Sequence, residues 1–274
     1  MQPDVFCSKL GIPKTCVMKY IYLFLFSCSS LFTCAQSGIG FSYSCSAPLG
    51  HMSNNIGTIH SLTMDYMYRL PGKWNRLEAG VDMGWGIYAS QRKKQTFTFT
   101  DGSTTTTWVN YNSNMVQGGI QARLRLTKDR LAVPYLSGKI GYHSLYSNIY
   151  VEDPEDEGGC KALQQRNIIK DGSITASYGG GVLVDLALFS PKSRKERVFF
   201  NLSVQHTAGG RIDYINTKKL IDANNPPVGT DGKPLNLQFI NASTQQIHEH
   251  QVAQVFNSPL RMLDCRLSMF FLLK

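Results

Sequence analysis

Few residues in this sequence stand at spacings that do chemistry. His248, Glu249 and His250 put two imidazoles one residue apart, but a pair of that kind in a polar loop is ordinarily solvated unless further ligands converge on it. His143 beside Ser144 has the residue types of an acyl-transfer dyad. On a strand, however, successive side chains point to opposite faces, so these two meet only across a bulge. No phosphate loop, zinc spacing or nucleophile elbow is present. No cofactor, metal or catalytic residue is therefore expected, and the reading is non-enzymatic. What does recur at regular spacing is charge. Asp65, Arg69, Glu78, Asp82, Arg123, Arg125, Lys139, Asp185, Asp264 and Arg266 all lie on the polar side of alternating segments. They comprise five acids and five bases. If they share one interior, mutual pairing is the arrangement that avoids unpaired buried ions.

The elements that must position these charges are strands. In residues 58–70, Leu62, Met64, Tyr66, Tyr68 and Leu70 alternate with Ser61, Thr63, Asp65 and Arg69, with Met67 the apolar exception. After the turn residues Pro71 and Gly72, residues 77–89 alternate again, Leu77, Ala79, Val81, Met83, Trp85 and Ile87 against Glu78, Gly80, Asp82, Gly84 and Gly86. The same period of two runs through residues 38–47, 115–126, 135–150, 174–188, 198–208 and 260–273, which makes about eight strands. The links between them alternate strictly. Residues 71–76, 127–132 and 189–197 are short, while 48–57, 90–114, 151–173 and 209–259 are long. Short turns at one end and long loops at the other, with charges at alternate mid-strand positions opposite Gly, Ala, Val and Leu, predict an all-β, transmembrane, antiparallel up-and-down β-barrel. A soluble sandwich or lipocalin-like barrel also alternates, and the loop pattern is what disfavours it.

Composition and the N-terminus are compatible with export. The chain has 274 residues, 42% of them hydrophobic, and a formal charge of +9. Its basic residues fall in scattered short groups, such as Lys192, Arg194, Lys195 and Arg197, which argues for a membrane surface and against nucleic acid. Residues 20–32 form an apolar run too short and interrupted to span a bilayer. Thr33 and Ala35 suit the small-residue positions of a signal peptide, so cleavage after Ala35 is predicted, with Met18 an alternative start and a buried core segment the competing reading. This divides the chain into a signal peptide, 1–35, and a barrel domain, 36–274. Four of the seven cysteines precede the cut, and Cys45, Cys160 and Cys265 have no metal-ligand spacing.

On these strands and links the chain resembles the small eight-stranded outer-membrane barrels of the OmpA/OmpX type, and more loosely the outer membrane β-barrel domain proteins of Bacteroidota. The resemblance covers residues 37–274 and is one of architecture. Its closing stretch, Met269, Phe270, Phe271, Leu272, Leu273 and Lys274, looks like the assembly signal read by the barrel-insertion machinery, although it ends on Lys274. With the last strand at the C-terminus, no appended peptidoglycan-binding domain is expected. The resemblance implies the cell outer membrane, with membrane lipid as surroundings. Arg92, Lys93 and Lys94 fall at the rim, where lipopolysaccharide phosphates would meet a cluster of cations; an ordinary solvated run is the alternative. The acidic stretch 152–157 suggests a divalent cation or a basic partner. Three functions remain: a surface-structural or adhesion-type barrel with a side-chain-plugged lumen and long extracellular loops, a narrow conduit for small or hydrophobic molecules, and a lipid-modifying enzyme.

Overall fold

The computed structural model describes residues 37–98, 102, 104–127, 131–152, 162–186, 198–218, 220, 232–240 and 247–273. The segment assigned to the signal peptide, Cys160 and the basic group at 192–197 lie outside them. The described chain is almost wholly strand: β1 (Ser37–Pro48), β2 (Ile59–Arg69), β3 (Leu77–Thr98), β4 (Thr104–Arg125), β5 (Ala132–Glu152), β6 (Ala162–Asp185), β7 (Val198–Ile215), β8 (Lys233–Ile240) and β9 (Ile247–Leu273). One short helix, α1 (His51–Asn55), follows β1, and a 3-10 turn, Gly72–Trp74, links β2 to β3.

Neighbouring strands pair antiparallel from β1 to β7, and β7 pairs with β9. The ring closes where β9 meets β1, from Ser37 against Leu273 to Pro48 against Met262. Eight strands form the ring, and β8 stands outside it, paired with β9 above the point where β7 ends. Closure matters because a sheet without edges leaves no unpaired backbone for the bilayer to meet.

Three of the long links are in large part strand. The segment read as link 90–114 is a hairpin in which β3 and β4 stay paired out to Thr98 and Thr104. The β5–β6 hairpin continues to Glu152 and Ala162. The link 209–259 contains the end of β7, all of β8 and the start of β9. In the first of these, Thr96, Phe97, Thr98, Thr104 to Thr107, Trp108, Val109 and Tyr111 are residue types favoured in strands. In these hairpins Val109, Tyr111 and Ile149 are buried while Thr106 and Asn112 are exposed, so the apolar-out alternation that reveals the lower strands is absent.

Alternation within the ring sorts the faces. Ile174 is 74% exposed, Ile120 71%, Ile140 68% and Leu62 66%, whereas Asp65 is 0% and Lys139 5% exposed. Apolar side chains cover the outside, and ions lie within. Water would not tolerate so large an apolar belt, whereas lipid solvates it. The chain is a transmembrane β-barrel.

Candidate functional site

The lumen is filled in three layers, each laid down by register. At the short-turn end, Met67, Val133, Tyr135, Leu183, Phe199 and Phe270 pack together. Met67, the apolar exception on the polar face of β2, is thus explained: it faces inward at a level where the filling is hydrocarbon.

The ionic layer lies above. Asp65 on β2 is the direct register partner of Asp82 on β3, a like-charge cross-strand pair that is unfavourable alone. Arg266 on β9 resolves it. Its guanidinium reaches Asp65 Oδ1 at 3.2 Å and Asp82 Oδ2 at 3.4 Å through one nitrogen, and Asp264 Oδ2 at 3.3 Å through the other. Lys139 Nζ adds a contact to Asp82 Oδ2 at 2.6 Å. Neutral donors serve two of the carboxylates: Ser42 Oγ and Gln121 Nε2 each donate to Asp65 at 3.1 Å, and Ser46 Oγ donates to Asp264 at 2.8 Å. In a region of low dielectric such hydrogen bonds are stronger than in water and fix how the carboxylates are oriented.

Closer to the short turns, Glu78 Oε1 stands 3.5 Å from Arg69 Nε and 3.7 Å from Arg125 Nε. Arg123, although the register partner of Glu78, turns to aromatic rings. Its guanidinium lies over Tyr135 at 5.2 Å and Phe270 at 5.8 Å from the ring centroids, a cation–π arrangement that joins this group to the apolar layer. Asp185 lies half-buried at the short-turn end of β6, eight residues along the strand from Ser177, the register partner of Lys139. At about 3.3 Å per residue that is roughly 26 Å. Nine of the ten charges therefore form two groups. The upper group has three acids and two bases (Asp65, Asp82, Asp264; Lys139, Arg266), and the lower has one acid and three bases (Glu78; Arg69, Arg123, Arg125).

The third layer closes the long-hairpin end. Met52 in α1 and Ile56 at its C-cap pack with Tyr88, Met115, Leu145 and Tyr214. Asn55 ties this helix down. Its carbonyl accepts the N–H of Thr217 at 3.0 Å and of Lys218 at 3.2 Å, and its side-chain oxygen accepts from Asn216 Nδ2 at 3.2 Å. Residues after β7 thus strap the helix across the mouth. The sequence offered a signal, since Met52 and Ile56 are four apart and so share a helix face, but a five-residue helix in a link is too short to read.

The other candidates are dispersed. Arg92 pairs with Glu152 at 2.6 Å and lies over Trp108 at 4.7 Å, Lys93 donates to the Leu220 carbonyl at 2.8 Å, and Lys94 is exposed. Strand alternation turns Lys93 to the face opposite Arg92 and Lys94. The Glu152 carboxyl is held below the ordinary carboxylate range by its hydrogen bonds from Arg92 and Asn110. His143 sits inside the barrel between Gln117 Oε1 and Thr175 Oγ1, 2.8 Å from each, while Ser144 Oγ donates to the Asp171 carbonyl. Those two side chains share no partner. Cys45 and Cys265 are register partners on the outer face of the seam, both as free thiols. The side chains of residues 248–250 lie outside those described, and among the described residues no group of three metal-ligating side chains converges.

A closed antiparallel barrel with hydrocarbon outside and ions within is an outer-membrane β-barrel, and the outer membrane is where this chain belongs. No family model and no curated protein matches it. Solved structures similar to it include Neisserial surface protein A, at 11% identity, covering 86% of this chain and 96% of that one, with a TM-score of 0.39. A major outer membrane protein from Thermus thermophilus is similar at 11% identity over 88% of this chain and 100% of that one, TM-score 0.44. Ail, the attachment invasion locus protein of Yersinia pestis, solved with the heparin analogue sucrose octasulfate, is similar at 11% identity over 87% and 99%, TM-score 0.31. At such values the likeness adds nothing to the membrane assignment, which rests on the barrel's own inside-out polarity.

Proposed function

We propose that this chain is a non-enzymatic outer-membrane barrel of the surface-structural or adhesion type, whose lumen is a plug and whose long hairpins meet the surroundings. The observation that carries the reading is the threefold filling of the lumen. A conduit would need a continuous path. Here a solute would have to pass the strapped helix, then the Asp65–Arg266–Asp82 ion network, then the side chains of Met67, Tyr135 and Phe270. Eight strands leave an interior just wide enough for its own side chains. Material invested in paired β3–β4 and β5–β6 hairpins beyond the apolar belt supports work done at the surface.

Planar-bilayer recording of the refolded full-length chain tests this. Silent membranes containing demonstrably inserted protein are expected, and large steady single-channel currents would sink the plug.

A further inference from the structure

The rim where α1, β7, β8 and β9 meet encloses a cavity of about 610 Å³, within the size range of small-ligand sites. A bulge makes it. Below Ala208, the odd residues of β7 face the lumen; the pairing with β9 then shifts between Ala208 and Arg211 by one extra residue on β7. Above the shift the even residues, Ile212 and Tyr214, face inward and are buried, and Arg211 and Asp213 turn out towards the rim. Bulges re-aim side chains in this way. Gly209 and Gly210 permit it, because a Cβ on the first would stand 2.7 Å from Thr175 Cγ2 and on the second 2.7 Å from Ser173 Oγ.

The side chains so delivered are fixed before any ligand arrives. Arg211 donates through Nη2 to the Asn257 carbonyl at 2.8 Å and through Nε to Asn257 Oδ1, and Asn257 Nδ2 donates to Asp213 Oδ1 at 2.6 Å. The Asp213 N–H is held in turn by Asp171 Oδ2 at 2.7 Å. The remaining guanidinium donors of Arg211, and the side chains of His51, Asn54 and Lys233, make no hydrogen bond among the described residues although all line the cavity. Charge there is predominantly positive, since Arg211 and Lys233 face a single carboxylate, Asp213, that Asn257 already engages. Planar amide and guanidinium groups match the spacing of vicinal hydroxyls, and the half-buried ring of Phe256 offers an apolar face.

We propose that this cavity binds an acidic saccharide, a sugar carrying a carboxylate, sulfate or phosphate group that Arg211 and Lys233 receive while Asn54 and Asn257 take its hydroxyls. The proposal rests on the reading of the long-hairpin end as the partner-facing surface and gives that partner a chemical class.

Calorimetric titration of the detergent-folded full-length chain with trigalacturonate, mannose 6-phosphate, neutral maltotriose and inorganic phosphate tests it. At least one of the two acidic sugars is expected to bind about tenfold tighter than maltotriose and inorganic phosphate, because a charge-assisted contact and the hydroxyl contacts are both needed. Which of the two binds distinguishes carboxylate from phosphate. Arg211→Gln is expected to lose about tenfold and Lys233→Gln, which lies off the bulge and leaves it intact, several-fold. Each variant is first shown to be folded by its heat-dependent gel migration. Equal binding of maltotriose overturns the acid preference, equal binding of inorganic phosphate reduces the site to an anion contact and overturns the saccharide, and unchanged affinity in both folded variants overturns the site. Failure of the plug would show as current in bilayers and leaves these titrations untouched.

Discussion

Replacing Arg266 by Met should be the most damaging single change of charge in the barrel. The guanidinium is 4% exposed and lies within 3.4 Å of three carboxylates, Asp65, Asp82 and Asp264. Methionine fills similar volume without charge, so the change isolates electrostatics from packing. Lys139 touches only Asp82, which leaves Asp65 and Asp264 buried with neutral donors alone. Removing one partner of a buried pair costs roughly 3 to 5 kcal/mol, and the three contacts belong to one side chain and are not summed. Urea unfolding in micelles, followed by tryptophan fluorescence and gel migration, should therefore show a loss of about 3 to 5 kcal/mol. Adding Asp264→Asn to Arg266→Met removes one stranded carboxylate and should recover about 1 to 2 kcal/mol. A single variant within about 1 kcal/mol of the parent, or a double variant with no recovery, would refute the view that the lumen depends on this network.

Three further outcomes are expected. Because the Glu152 carboxyl is held low by Arg92 and Asn110, the stability it contributes to the hairpin is complete above the ordinary glutamate value of about 4.5 and fades only as pH falls through its lower folded value. Fluorescence of Trp108, under Arg92, should follow that loss, and Glu152→Gln should abolish the transition. In Gly80→Ala the new Cβ would stand 2.0 Å from the Tyr66 carbonyl and 2.6 Å from Met67 Sδ, so refolding yield measured by heat-dependent migration should fall steeply; a yield equal to that of the parent would contradict the register. Cys45 and Cys265 should remain thiols, counted by maleimide mass shift after air exposure. Leu49 N donates to Arg261 O, so four residues along the same register Cys45 and Cys265 form a hydrogen-bonded pair, whose Cβ atoms stand about 5.5 Å apart against roughly 3.8 Å in a disulfide.

The strands inside the bilayer were readable because lipid on one side and ions on the other impose a strict period of two, as at Leu62 to Arg69 and Leu77 to Ile87. Where that contrast ends, so does the signal. The upper part of β3 and β4, and all of β8, fell within apparent links. That the ten charges share the polar face was readable from alternation, and the loop pattern turned that face inward, but their partners were not readable, since pairing depends on how strands stagger around the ring. Nothing in the order of residues announces that Arg266, near the end of the chain, meets Asp65 and Asp82, or that Arg123 turns to Tyr135 and Phe270. The bulge at Gly209 and Gly210 was also hidden, because one extra residue simply ends an alternation when read along a single strand.

The position of Arg266 has a consequence for how the barrel is built. Asp65 and Asp82 come together as soon as the β2–β3 hairpin forms, and the cation that reconciles them arrives on the last strand. Until β9 docks against β1 the only cation on this pair is Lys139 of β5, which reaches Asp82 alone, so the closing step supplies the cation that Asp65 lacked. A seam slipped by one residue would turn Arg266 to the lipid and leave Asp65 inside without its cation. Charge thereby serves as the lock that distinguishes the right closure from its neighbours, a task that an apolar filling, indifferent to the residue brought against it, performs poorly.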